Sequence, residues 1–121
     1  MKFYTKDHEW VEVRNGVTFV GISEHAAEEL GDITFVELPR EGESYKAGDS
    51  LGVVESVKAA SDVYAPVSGK VIKVNSALEN KPETVNESAE TDGWFCQLEM
   101  ENSAELEDLM NESAYAEYLK K

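Results

Sequence analysis

The stretch LGVVESVKAASDVYAPVSG, Leu51 to Gly69, constrains this chain more than any other. Apolar, β-favouring residues lead in at Leu51, Val53 and Val54 and lead out at Val63, Tyr64, Ala65 and Val67. That pattern reads as two strands folding back on each other, with Lys58 at the tip. The connection from Ser56 to Ser61 has none of the Gly, Asn, Asp or Pro chemistry that ordinarily makes a turn self-sufficient. Some demand other than turn propensity therefore sets its residues.

The lysine is placed for an unusual use. Glu55 lies three residues before it and Asp62 four after, while Val57 and Ala59 are small and uncharged immediate neighbours. Nearby carboxylates hold an ammonium in its charged form, and an exposed tip supplies no desolvation to oppose them. A lysine that attacks carbonyls needs a depressed pKa, so Lys58 is a poor nucleophile for this chain's own chemistry. The arrangement suits a lysine that another enzyme grips and acylates. The ordinary alternative is a solvated loop lysine.

Strand signals recur on both sides of this hairpin. Residues 10–22 alternate around Asn15-Gly16, a strong hairpin signal. Ser23 then caps a short helix with Ala26, Ala27 and Leu30 on one face, and Gly31 closes it as a left-handed cap. Asp32 to Leu38 is a strand stopped by Pro39, and Lys70 to Asn75 alternates cleanly as another. Residues 77–92 read as loop with at most a helical turn, before a last strand at Trp94 to Met100. Ser103 and Ser113 are expected to cap two short helices over residues 103–119, packed on the body through Leu106, Leu109, Met110, Tyr115 and Tyr118. Many short strands with glycine-rich turns predict a β sandwich or barrel in a single domain, residues 1–121.

Charge narrows the function. With 11 basic and 25 acidic residues the formal net charge is −14. Nucleic-acid binding needs clustered Lys and Arg, and an anionic membrane surface needs the same, so neither is expected as a partner. No apolar run approaches the roughly 20 residues of a membrane span. The opening MKFYTKDHEW reads as structured sequence rather than a leader, which predicts a cytoplasmic chain. Single Cys96 allows no internal disulfide and reads as a small buried strand residue. Trp10 and Trp94 are core candidates, and His25 is expected on a solvated helix face. Asp7, His8 and Glu9 form a polar cluster before Trp10, but two histidines in the whole chain make a metal site unsupported.

ESVKAASD followed by APVSG closely resembles the lipoylation motif of the glycine cleavage system H protein family. YTKDHEWV, VGISEHAAEELGDITFVELP, GESYKAGDSLGVVESVKAASDVYAPVSGKVIKVN and a Gly-Trp pair near residue 93 resemble that family in the same order, from Phe3 to about Tyr118. Residues 88–92, SAETD, depart from the Pro-Tyr-Gly-containing turn usual there.

The resemblance implies a lipoyl/biotinyl-type barrel-sandwich hybrid, mainly β, with a short internal helix, C-terminal helices and the modified lysine on an exposed hairpin. It implies a carrier and not an enzyme, with lipoate joined to Lys58 by an amide and Glu55, Ser56, Val57 and Ala59 recognised during modification. It implies partners: a lipoate ligase or a lipoyl/octanoyl transferase, a pyridoxal-phosphate glycine decarboxylase, a tetrahydrofolate-dependent aminomethyltransferase and dihydrolipoyl dehydrogenase. It also implies a surface cleft in which Glu9, Asp62 and Asp7 hold the aminomethyl end of the loaded arm. A cationic amine there would find a carboxylate its natural acceptor, and apolar lining would exclude water. Three alternatives share the sequence: a donor relaying lipoate to other carriers, a biotin carrier, and an unmodified interaction domain. Val57 and Ala59 stand where a biotin carrier would usually have methionines.

Overall fold

The hairpin around Asn15-Gly16 forms as its dipeptide requires. β2 (Glu9–Arg14) and β3 (Val17–Ile22) pair antiparallel in register from Glu9↔Ile22 to Arg14↔Val17. Asn15 and Gly16 take positive φ of 49° and 79°, the combination a two-residue hairpin of this twist demands. Around this pair a seven-stranded sheet is built in the order β10-β1-β2-β3-β9-β8-β5. Its other members are β1 (Lys2–Tyr4), β5 (Ser44–Tyr45), β8 (Gly69–Val74), β9 (Cys96–Met100) and β10 (Met110–Asn111). A second sheet of three strands, β4-β6-β7, carries the central hairpin. It consists of β4 (Ile33–Glu37), β6 (Ser50–Ser56) and β7 (Ala60–Tyr64). The computed structural model describes residues 2–120.

Alternation in these strands sends one set of side chains into a shared interior. Val11, Val20, Leu51, Ala65, Val67, Val71, Cys96 and Leu98 form one core cluster, and Ile22, Ile33, Val36, Val54, Val63, Leu78, Val85 and Phe95 belong to another beneath the small sheet. The architecture is the mainly β barrel-sandwich hybrid that the family resemblance implied. Cys96 is fully buried, which pushes its thiol up to about 12 and leaves it inert. Trp10 is fully buried, whereas Trp94 is half-buried with its ring set edge-on to Phe19.

Several expectations are corrected here. Residues 77–92 hold two short helices, α2 (Ala77–Asn80) and α3 (Thr84–Ser88), and Leu78, Val85 and Ala89 are core residues. The loop that follows is ordered by its contacts with Trp10, whose Nε1 donates to the Ala89 carbonyl at 3.0 Å, and by Glu90, whose carboxylate accepts from Tyr4 Oη at 2.6 Å. Glu90 also accepts the Glu24 N–H at 2.9 Å, so its charge meets the positive end of α1 (Glu24–Leu30). A bulge between Val71 and Lys73 breaks the clean alternation expected of β8, leaving the successive residues Ile72 and Lys73 both exposed.

The C-terminal segment also differs. Residues Ser103–Asp108 form a 3₁₀ helix capped by Asn102, not Ser103, and Asn111, not Ser113, caps α4 (Glu112–Leu119). Asparagine one or two residues upstream reaches the free N–H groups equally well and captures each cap. Between the two helices β10 pairs with β1, so the segment expected to be wholly helical returns to the sheet. Tyr115 is buried and its ring stacks on Tyr4 at 4.2 Å, which docks α4 on the body as expected.

Candidate functional site

Lys58 stands at the tip of β6 and β7, where Glu55↔Ala60 is the last ladder pair. The hairpin proper ends at Tyr64, and residues 65–68 turn the chain into β8, so the arm is shorter than the stretch to Gly69. The tip is built by one serine. Ser56 Oγ accepts the Lys58 and Ala59 N–H groups at 3.1 and 3.2 Å, and the Ser56 N–H donates to the Ala59 carbonyl at 2.8 Å. Serine thus supplies the turn chemistry that the absence of Gly, Asn, Asp and Pro left unexplained. The Val57 N–H donates to the Asp32 carbonyl at 3.1 Å and fastens the tip to the entry of β4. A Ser56→Ala protein is expected to lose about 1 kcal/mol of local order. Hydrogen exchange should show it as faster exchange of the Lys58 and Ala59 amides with the rest of the sheet unchanged.

The lysine side chain lies across the end of α1. Its Nζ donates to the Glu29 carbonyl at 3.4 Å, and a Cβ on Gly31 would sit 3.4 Å from its Cε. Gly31 closes the helix with φ 78° and ψ −154°, a positive φ as expected but an extended ψ rather than the left-handed helical one. A cation at a helix C-terminus meets the unpaired carbonyls there.

That same last turn of α1 borders a cavity of about 300 Å³. Ile22, Ala26, Leu30, Val54 and Val63 make its apolar wall, and Asp7, His8, Glu9, His25, Glu29, Ser61 and Asp62 its polar edge. Glu9 is the buried member, 2 % exposed. Its Oε1 accepts from Thr5 Oγ1 at 2.6 Å and its Oε2 from the Tyr64 N–H at 3.3 Å, so one carboxylate joins the first hairpin to β7. Burial raises its pKa to about 7, more than those two hydrogen bonds pull it down. Asp62 is exposed, with its Oδ1 accepting from Ser50 Oγ at 3.4 Å, and Asp7 is exposed on the loop before β2. The structure therefore brings Glu9, Asp62 and Asp7 to one cavity and places Lys58 on the helix turn that borders it.

Two histidines line this cavity that the sequence did not assign to it. His25, expected on a solvated face, lies with its ring 4.8 Å from His8, and its Nε2 is 3.3 Å from Glu29. His8 has a positive φ of 70°, unusual for a residue with a side chain, and is held by hydrogen bonds from its N–H to Thr5 and from Ser23 to its carbonyl. Tyr115 Oη sits 2.7 Å from His8 Nδ1 and 2.8 Å from Ser23 Oγ. Ser23 Oγ also accepts the Ala26 N–H, so the α1 cap, the Tyr115 phenol and the His8 imidazole form one continuous hydrogen-bonded chain. Burial lowers the His8 pKa, as does neighbouring His25, against the opposing pull of Asp7 and Glu29. The sequence signal was present in the trio Asp7-His8-Glu9; the link to residue 115 was not.

Among the described residues no group of three or more His, Cys, Asp and Glu side chains is placed to hold a metal ion, and no helix is long and apolar enough to cross a membrane. What the site combines is an exposed primary amine, a half-apolar cavity beside it and one buried carboxylate.

Comparison with known proteins gives a consistent set of likenesses. The family described as Glycine cleavage H-protein matches residues 2–121. A glycine cleavage system H protein of Caulobacter vibrioides is 56% identical over 116 residues, covering 96% of each chain. One from Thermotoga maritima is 49% identical over 118 residues, covering 98% of this chain and 95% of the relative. The crystal structure of a glycine cleavage system H protein from Mycobacterium marinum superposes with a TM-score of 0.91 at 36% identity, covering 99% of this chain and 97% of that one.

Proposed function

This chain belongs to the glycine cleavage H-protein family, a lipoyl-carrying and non-catalytic component of the glycine cleavage system, and on that premise we propose that Lys58 carries its lipoyl group. The observation that carries the reading is the exposed lysine lying on the helix turn that borders the cavity. The residues present fit the group. Ile22, Ala26, Leu30, Val54 and Val63 offer an apolar wall to a hydrocarbon chain and ring, and Glu9 offers a buried acceptor to an amine. When bound, the lipoyl group supplies a dithiolane that carries the aminomethyl unit of glycine from the pyridoxal-phosphate decarboxylase to the tetrahydrofolate-dependent aminomethyltransferase, and dihydrolipoyl dehydrogenase restores it.

The chain's own residues position, shelter and release. Ser56 fixes the tip so that Lys58 projects, with Glu55, Val57 and Ala59 forming the surface seen by a lipoate ligase or a lipoyl/octanoyl transferase. Glu9, once ionised, holds a cationic amine by a charge-assisted hydrogen bond, with Asp62 and Asp7 adding negative potential at the rim. The apolar wall keeps water from that end. Tethering through the lysine stem raises the effective concentration of the arm at each partner's active site.

The test is the intact mass of the protein purified from its host, with peptide mapping across residues 57–70. A lipoyl-sized increment on Lys58 is expected. A biotin-sized increment would move the chain to carboxyl transfer. An unmodified Lys58, in cells that lipoylate other proteins, would overturn the reading.

A further inference from the structure

The small sheet buries one face and leaves the other unlike a solvated surface. Val36 and Val54 are paired and buried, so Phe35 and its partner Glu55 lie on the opposite face. Phe35 is 48% exposed there, and Val57 at the tip is 68% exposed. The Val57 N–H bond to the Asp32 carbonyl ties that tip to the entry of β4, where Phe35 follows three residues on. β4, β6 and β7 contribute Glu37, Glu55 and Asp62 to their surfaces and no Lys or Arg. The result is an apolar centre in an acidic frame, immediately beside Lys58.

From this arrangement we propose that the surface met by the enzyme that acylates Lys58 extends from Val57 across the small sheet to Phe35, and that this partner carries an apolar recess framed by basic side chains. The proposal rests on Lys58 being the modified residue. Enzymes that act on a loaded arm meet its far end, many bonds from the lysine. The acylating enzyme alone must bring its own reacting centre to Nζ, so its footprint has to cover the residues flanking the hairpin tip. There the ammonium loses a proton and attacks the carbonyl carbon of an acyl adenylate. The amide C–N bond forms, the C–O bond to AMP breaks, AMP leaves with the electron pair, and two protons in all pass to solvent. A few central apolar anchors carry most of the affinity of such an interface. The acidic frame selects a basic partner and speeds encounter.

The experiment follows acylation of the unmodified full-length chain by a lipoate ligase supplied with lipoate and ATP, with mass read at Lys58. Phe35→Ser and Val57→Ser are each expected to raise KM about tenfold with kcat little changed. Ile72→Ser, which removes an exposed apolar side chain on the other sheet, is expected to behave as wild type. Thermal unfolding of all three should match wild type, since each residue is exposed. Acylation of both Phe35→Ser and Val57→Ser at the wild-type rate would overturn the surface while leaving the lysine assignment standing. So would a defect confined to glycine decarboxylation by preloaded protein, which would give the patch to the decarboxylase. A wild-type dimer that Phe35→Ser converts to monomer would give it to a second copy and likewise overturn the proposal. A wild-type chain that stays unmodified at Lys58 would overturn both readings together.

Discussion

A Lys58→Arg protein is expected to fold as the wild type does and to carry nothing. The side chain is exposed and its recorded contacts are with the end of α1, through the Glu29 carbonyl and beside Gly31. Arginine keeps the charge and the reach to those groups. It does not keep a titratable amine, because a guanidinium stays protonated and cannot take an acyl group under these conditions. The expected results are an unchanged thermal transition, no mass gain with ligase, lipoate and ATP, and glycine decarboxylation at background in a reconstituted system. Activity above background with the variant would remove Lys58 from the mechanism.

Glu9→Gln is expected to have opposite effects on stability and on function. The folded Glu9 pKa of about 7 lies above its ordinary 4.5, so the folded chain binds this proton more tightly than the unfolded one. Stability from this group is therefore fully present below about pH 4.5 and is lost as pH rises toward about 7, beyond which the loss is complete. The swing is on the order of 3 kcal/mol, at 1.36 kcal/mol per pKa unit. Glutamine keeps an acceptor and has no charge to bury, so urea unfolding of the variant should lose this slope between pH 4.5 and 7 and exceed wild type at pH 8. Function should suffer in the same protein. A cationic amine in the cavity favours ionised Glu9, and a neutral amide replaces a charge-assisted bond by an ordinary one. Roughly a tenfold faster loss of the one-carbon unit from loaded protein is expected. A variant with a wild-type pH–stability slope would show that Glu9 ionises in the fold just as it does in the unfolded chain, and an unchanged rate of loss would remove it from the cavity's role.

The legibility of this chain in its sequence follows the range of the interactions. The Asn15-Gly16 hairpin, the Ser23 cap and the Lys58 hairpin are local: a dipeptide, one hydroxyl or a run of alternating residues carries each. β1, β5 and β10 run two or three residues and are too short to show a period, so only their neighbours in the sheet define them. The helices at residues 77–88 escape notice because Pro82 divides them, although Leu78, Val85 and Ala89 fall at spacings of seven and four. The bulge at Ile72 depends on the partner strand and leaves no mark in residues 70–75 themselves. At the site, the family resemblance indicated Glu9, Asp62 and Asp7, and the fold gathers all three. His25 is a third exposed on its helix and also faces the cavity, which its helix alone does not reveal, and the Tyr115 link to His8 spans 107 residues, beyond any local pattern.

The positive charge that Lys58 holds at the end of α1 also makes the modification state visible from outside. While the lysine is free, an ammonium sits against the negative pole of α1 and offsets one of the many carboxylates of this acidic chain. An amide nitrogen brings no charge to the same place. Each acylation therefore makes the molecule more anionic by one unit without adding an acidic group, and unmodified and lipoylated chains should separate as discrete bands in a native gel. The proportion of working carriers in a cell extract can then be read directly from electrophoretic mobility.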